Sequence, residues 1–228
     1  MTAEEGTTPV TVPPATGERD WGAVIRARLA GTVPRHAVEE WRVPGLSADA
    51  SRAYRRYFPS QARPAAVLVP LIERPELSVL LTQRATDLRN HAGQISFPGG
   101  RIERGDAGEK EAALREAREE IGLDERFVSI IGYLPDHVVI TGFLITPVVA
   151  FVKPGFELLL SSDEVADTFE VPLDYLFDPA NYRLQRHRTV TGEDVEFREI
   201  PFGKRRIWGA TAGMLHTLYR VCVGAETA

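Results

Sequence analysis

The segment Phe97-Pro98-Gly99-Gly100 leads into Arg115-Glu116-Ala117-Arg118-Glu119-Glu120-Ile121-Gly122-Leu123, and this stretch sets a cluster of carboxylates beside a glycine turn. Glu116 and Glu120 are i and i+4 on one helix face, with Glu119 at i+3, so their side chains come within roughly 6 Å of one another. Three like charges at that spacing repel, and such a face is costly unless a cation lies against it. Hard divalent cations such as Mg²⁺, Mn²⁺ and Ca²⁺ prefer oxygen ligands. The helix is therefore a candidate metal platform.

The flanking residues point the same way. Asp106, with Glu109 three residues on, is a close relative of the capping box, and both acids favour the positive end of a helix dipole. A helix start near Ala107 is expected. Leu114, Ala117 and Ile121 recur at i, i+3 and i+7, a narrow apolar stripe directed away from Glu116 and Glu120, so that the carboxylate face stays free while the helix packs. Gly122 suits the left-handed stop after the last turn. Gly99 and Gly100 permit a turn with no side chain in the way, which lets the Gly100 carbonyl approach the same ion.

The segment resembles the Nudix box, G-x5-E-x7-R-E-U-x-E-E-x-G-U with U aliphatic, a loop-helix-loop that binds Mg²⁺ or Mn²⁺. Gly100 supplies the first position, and Arg115, Glu116, Ala117, Glu119, Glu120, Gly122 and Leu123 match the second half. The middle departs from the pattern: the early acid is Asp106 rather than Glu, and the spacing to Arg115 is one residue longer. Glu103 is the alternative for that acidic role. A second pattern, Leu80-Leu81-Thr82-Gln83-Arg84-Ala85 followed by Arg89, Gly93 and Phe97-Pro98-Gly99-Gly100, is similar to the signature L-L-T-x-R-S-x3-R-x3-G-x3-F-P-G-G of the coenzyme A diphosphatase branch. Only Ala85 departs, where that signature has Ser. The longer spacing and the Asp within the box are also features of that branch, and the resemblance extends over about residues 60 to 222.

Composition sets compatible bounds. With 228 residues, 43% of them hydrophobic, the chain is long enough for one good core in one domain. No run of 18 apolar residues offers a membrane span, and the acidic Met1-Thr2-Ala3-Glu4-Glu5 opening is unlike a secretory signal. A single cysteine, Cys222, precludes an intrachain disulfide and agrees with a reducing cytoplasm. The net charge of −5 gives no general attraction to nucleic acid. The expected partner is a small diphosphate substrate, with neither nucleic acid nor membrane, and a homodimer is left open.

Along the chain, residues 1–18 read as a disordered Thr/Pro/Ala-rich segment, 19–60 as a helical extension and 61–224 as the hydrolase domain. Helices are expected at 21–30 and 48–57, the latter with solvated Arg52, Arg55 and Arg56. Residues 65–71 and 77–82 read as a hairpin, 127–134 and 145–152 as buried strands, 181–190 and 195–202 as a second hairpin, and 209–223 as a closing helix. Strands on both sides of a central helix suggest a mixed sheet with helices on two faces, and the resemblance implies an α/β/α sandwich of the Nudix type.

The resemblance also implies roles. Glu116 and Glu120 are the leading metal ligands, then Glu119 and the Gly100 carbonyl. Arg115 pairs with an acidic neighbour and orients the cluster. Glu164 lies in the Ser161-Ser162-Asp163-Glu164-Val165 loop, where Nudix enzymes often carry a further acid, although it could instead cap a following helix. Glu119, Glu120 and Glu164 are the alternatives for the general base, which only geometry can separate. Arg84 and Arg89 are candidate clamps for a diphosphate or a 3′-phosphate, since guanidinium groups bind phosphate oxygens bidentately. His91 and His137 lack partners at zinc-like spacing, and Trp208 reads as core rather than as a base-stacking platform. The implied reaction is metal-dependent cleavage of coenzyme A to 4′-phosphopantetheine and adenosine 3′,5′-bisphosphate. Another nucleoside diphosphate derivative such as ADP-ribose or NADH, a nucleoside triphosphate, and a silent ligand sensor are the alternatives.

Overall fold

The computed structural model describes residues 19–34, 62–86, 92–139, 142–188 and 194–224. The N-terminal segment, the expected helix at 48–57, Arg89 and His91 lie outside the described residues.

Two long strands form the centre, β1 (Arg63–Ile72) and β7 (Phe143–Val152), paired in parallel from Arg63 opposite Phe143 to Ile72 opposite Val152. Every residue of β1 from Ala65 onward is buried. That near-continuous apolar run is what a parallel strand covered on both faces requires. β2 (Ser78–Arg84) returns from β1 as the expected hairpin, with Leu71 opposite Val79. β3 (Ile95–Ser96) and β8 (Val165–Pro172) pair with β2, β4 (Gly99–Arg101) pairs with β1, and β5 (Val128–Tyr133) and β6 (His137–Val139) pair with β7; all these ladders are antiparallel. The result is a mixed eight-stranded sheet.

Period-two alternation divides the core into two layers. Ala66 and Leu68 face α2 (Glu109–Ile121) and pack with Ala112, Ala113, Ala117 and Ile121. Val67, Val69 and Leu71 face the opposite way, toward Ile25 and Leu29 of α1 (Trp21–Leu29) and toward Leu215 and Leu218 of the C-terminal helix. The architecture is thus an α/β/α sandwich around a mixed sheet. A short helix, α3 (Leu173–Leu176), follows β8. A second, three-stranded sheet of β9 (Arg183–Arg188), β10 (Asp194–Phe202) and β11 (Arg205–Trp208) then leads into α4 (Gly209–Val223). The expected second hairpin corresponds to β9 and β10, whose connection at 189–193 lies outside the described residues.

The structure corrects three expectations. The central helix starts at Glu109, after Gly108, with no side-chain cap; Asp106 instead accepts from the Glu103 amide and takes the Arg115 guanidinium. Its packed stripe is Ala113, Ala117 and Ile121 with Ala112 and Glu120, while Leu114 is only partly buried. Three alanines bring the helix close to the sheet, and that closeness carries Glu120 inward. Trp208 is 40% exposed rather than core, because the strand alternation that buries Ile207 turns its neighbour outward, where it meets Phe197 with ring centroids 5.7 Å apart.

His137 is held against α4, so tightly that a Cβ on Gly213 would come within 2.6 Å of its ring. Burial pushes its pKa down from 6.5 to about 4. Above pH 6.5 the ring is neutral in both folded and unfolded chains; below it the unfolded chain takes up a proton that the folded one refuses, and stability falls until about pH 4. The cost should reach about 2 kcal/mol by pH 5, so chemical denaturation should give a shallower pH slope between pH 7 and 5 for His137→Gln. An unchanged slope would show that the ring is solvated.

Candidate active site

The glycine turn and the acidic helix meet because β4 lies on β1, with Gly100 opposite Ala66, and α2 lies over both. Gly99 has φ 154°, and a Cβ there would strike the Ala66 carbonyl oxygen and stand 2.6 Å from Val67 Cα. Gly100 is required for another reason: a Cβ would stand 2.5 Å from Glu116 Oε1. The absent side chain makes the cradle in which that carboxylate rests.

Glu120 is not on a free face as its spacing suggested. It is 3% exposed, its Oε2 accepts from the Gly99 amide at 3.2 Å, and its Oε1 lies 3.7 Å from Arg84 Nη1. Burial raises its pKa to about 7; the Gly99 amide and Arg84 oppose the rise, while Glu116 and Glu164 add to it. Burial likewise raises Glu116 above the ordinary range, against the pull of Arg115. Glu119 is the exposed member of the group.

Arg115 ties the platform together. Its Nε and Nη2 grip the two Asp106 oxygens at 3.0 Å each, Nη1 donates to Glu116 Oε1 and Glu119 Oε2 at 3.0 Å, and Nη2 also reaches the Arg101 carbonyl. The hydrogen bond from Arg115 keeps Asp106 below the usual carboxylate range. Between the two candidates for the early acidic position, Asp106 is the one that meets Arg115; Glu103 contributes only its backbone amide and its side chain is exposed.

Glu164 arrives from far along the chain. β8 pairs with β2 so that Val165 stands opposite Arg84, and the Glu164 carbonyl accepts from the Ala85 amide at 2.9 Å. The preceding loop is pinned to the end of α2 by Ser161 N to the Glu120 carbonyl and Leu159 N to the Ile121 carbonyl. Glu164 leads into a strand, so it caps no helix. Sequence reasoning missed the contact of Arg84 with Glu120 and the inward position of Glu120. The signal within reach was the small-residue set Ala112, Ala113 and Ala117, which marks the helix face that comes closest to the sheet.

Among the described residues no three His, Cys, Asp or Glu side chains are already gathered as a metal cluster. Glu116 and Glu119 are drawn onto Arg115, and Glu120 onto Gly99 and Arg84. The donor set nevertheless fits a hard divalent cation: one buried and one half-buried carboxylate, both with raised pKa values, beside a cradle that a methyl group would fill.

The arrangement is thus an acidic helix against a glycine strand in an α/β/α sandwich. The Nudix domain family matches residues 62–191, more than half of the chain. The protein belongs to the Nudix family and is a hydrolase acting on a diphosphate linkage; members of the family typically use a divalent metal. It is 43% identical over 157 residues to a protein of Cronobacter sakazakii named uncharacterized Nudix hydrolase NudL, covering 68% of this chain and 81% of that one. A Pectobacterium atrosepticum protein of the same name is 39% identical over 165 residues, covering 69% and 82%. Among solved structures, a C. elegans Ap4A hydrolase binary complex is 21% identical with a TM-score of 0.43, covering 48% of this chain and 80% of that one. No helix among the described residues is long and apolar enough to cross a membrane.

The two glycines should fail differently when changed to alanine. Gly99→Ala meets backbone and should lower stability by about 2 kcal/mol or more, read as a fall in melting temperature. Gly100→Ala meets only the end of the Glu116 side chain, so it should leave the melting temperature within a few degrees while weakening Mn²⁺ binding in a calorimetric titration. Equal effects on both quantities would refute the assignment of Gly100 as a cradle.

Proposed function

We propose that this protein hydrolyses the diphosphate linkage of coenzyme A or its derivatives, giving 4′-phosphopantetheine, or its acyl form, and adenosine 3′,5′-bisphosphate, with Mg²⁺ or Mn²⁺. The observation that carries the substrate class is the run Leu80-Leu81-Thr82-Gln83-Arg84, continued by Arg89, Gly93 and Phe97-Pro98-Gly99-Gly100. Its arginine at 84 stands beside the buried carboxylate of Glu120, so a phosphate oxygen held by the arginine would lie near the proposed metal ligand. The NudL relatives carry no substrate in their names, so the signature is the basis of this choice.

A diphosphate resists hydrolysis because its negative oxygens repel an incoming hydroxide. Glu116 and Glu120, assisted by Glu119 and the Gly100 carbonyl, would hold the cation. Bound there, it would neutralise phosphate charge and acidify a water molecule. Arg115 fixes where the carboxylates stand. Arg84 and Arg89 are the proposed clamps for phosphate oxygens, their planar guanidinium groups matching two oxygens at once. Glu164, at the rim of the cluster, joins Glu119 and Glu120 as an acceptor for the proton of water. Cytoplasmic location and a small-molecule partner belong to the same proposal.

Product analysis with coenzyme A, acyl-coenzyme A, ADP-ribose, NADH and dGTP, each with Mg²⁺ and with Mn²⁺, tests the substrate class; faster turnover of ADP-ribose than of coenzyme A refutes it. Replacing each acid by Gln separates ligand from base. Glu120→Gln should stay folded, since it keeps an acceptor for the Gly99 amide, yet lose most metal binding and activity. The base, by contrast, should lose about a hundredfold in kcat with its Mn²⁺ affinity intact. If none of Glu119, Glu120 and Glu164 shows either pattern, the placement of the site is wrong.

A further inference from the structure

The guanidinium of Arg84 is poorly satisfied. Among the described residues its ion-pair partner is Glu120, with Oε1 at 3.7 Å, beyond hydrogen-bond distance, and its buried Nε has no hydrogen-bond partner there. Arg115, by contrast, forms hydrogen bonds to Asp106, Glu116, Glu119 and the Arg101 carbonyl. Among the described residues this half-buried guanidinium, set against a carboxylate that is 3% exposed, is held by charge rather than by a hydrogen bond. Burying a carboxylate without a counter-charge is expensive, and among the described residues the other group bonded to Glu120 is a neutral amide.

We infer that Arg84 is the resident counter-ion of Glu120 in the metal-free protein, and that it yields this carboxylate when a divalent cation takes it. The inference rests on the reading of Glu120 as a metal ligand. Arg115 cannot play this part, because its hydrogen bonds to Asp106 fix it away from Glu120. Arg84 can: its side chain is 28% exposed, it emerges from the end of β2, and its guanidinium would turn to phosphate oxygens once Glu120 is engaged. The site would then open its phosphate clamp only after the cation has arrived, and cation and clamp would bind in a coupled order.

Mn²⁺ binding without substrate tests the inference, by calorimetry at about pH 8.5, where the carboxylates are ionised, for the parent, Arg84→Met, Arg84→Lys and Glu120→Gln. Removing the competing charge should tighten Mn²⁺ binding by about fivefold or more in Arg84→Met, while its metal-free melting temperature falls and the Mn²⁺-induced rise in that temperature grows. Arg84→Lys keeps the charge and should stay within about twofold of the parent. Unchanged or weaker binding in Arg84→Met, or equal tightening in Arg84→Lys, overturns the inference. Parent-like binding by Glu120→Gln, or no binding by the parent, overturns instead the reading of Glu120 as a ligand, and the inference with it.

Discussion

The burial of one carboxylate, Glu120, between the glycine strand and the central helix is the constraint on which the site depends. Two conditions allow it. Ala112, Ala113 and Ala117 bring α2 close to the sheet, and β4 presents glycines where side chains would otherwise stand. The Gly99 amide and the Arg84 charge then offset part of the desolvation, and the remainder appears as a raised pKa. Such a group would be stabilised further by a cation that reaches it, which is how the packing of the fold bears on the proposed metal site.

The two arginines of the site contribute in opposite ways. Arg115 is saturated, with its fork on Asp106 and its remaining donors on Glu116, Glu119 and a backbone carbonyl, so it serves as a rigid brace. Among the described residues Arg84 leaves its Nε without a partner and stands close to the Glu120 carboxylate without a hydrogen bond to it. A brace sets where ligands stand; a loosely held cation can change partners. Glu164 completes the arrangement through backbone contacts of its loop with the end of α2 and with Ala85, which fix its position while leaving its side chain exposed.

Much of the fold was legible in the chain. The central and closing helices carry a periodic pattern, and the first hairpin and the strand of residues 143–152 a continuous apolar run, each over enough residues to be read, and their observed limits fall within a few residues of expectation. Short strands were not legible: β3, β4 and β6 hold two or three residues each, too few for any period to appear. Trp208 and Leu114 show the same limit for burial, since an apolar side chain is core only if an element covers that face.

The sequence by itself determined the carboxylate grouping within one helix turn: Glu116, Glu119 and Glu120 are neighbours because covalent spacing and helical geometry make them so, and their flanking residues mark the Nudix family. It could not decide which of the three is buried, which acid meets Arg115, or that Arg84 and Glu164 reach the same cluster. Those facts depend on strand register, above all Val165 opposite Arg84 and Gly100 opposite Ala66, and register joins residues far apart in the chain. Only the packed sheet, with its helix drawn down by three alanines, decides what stands beside the carboxylates.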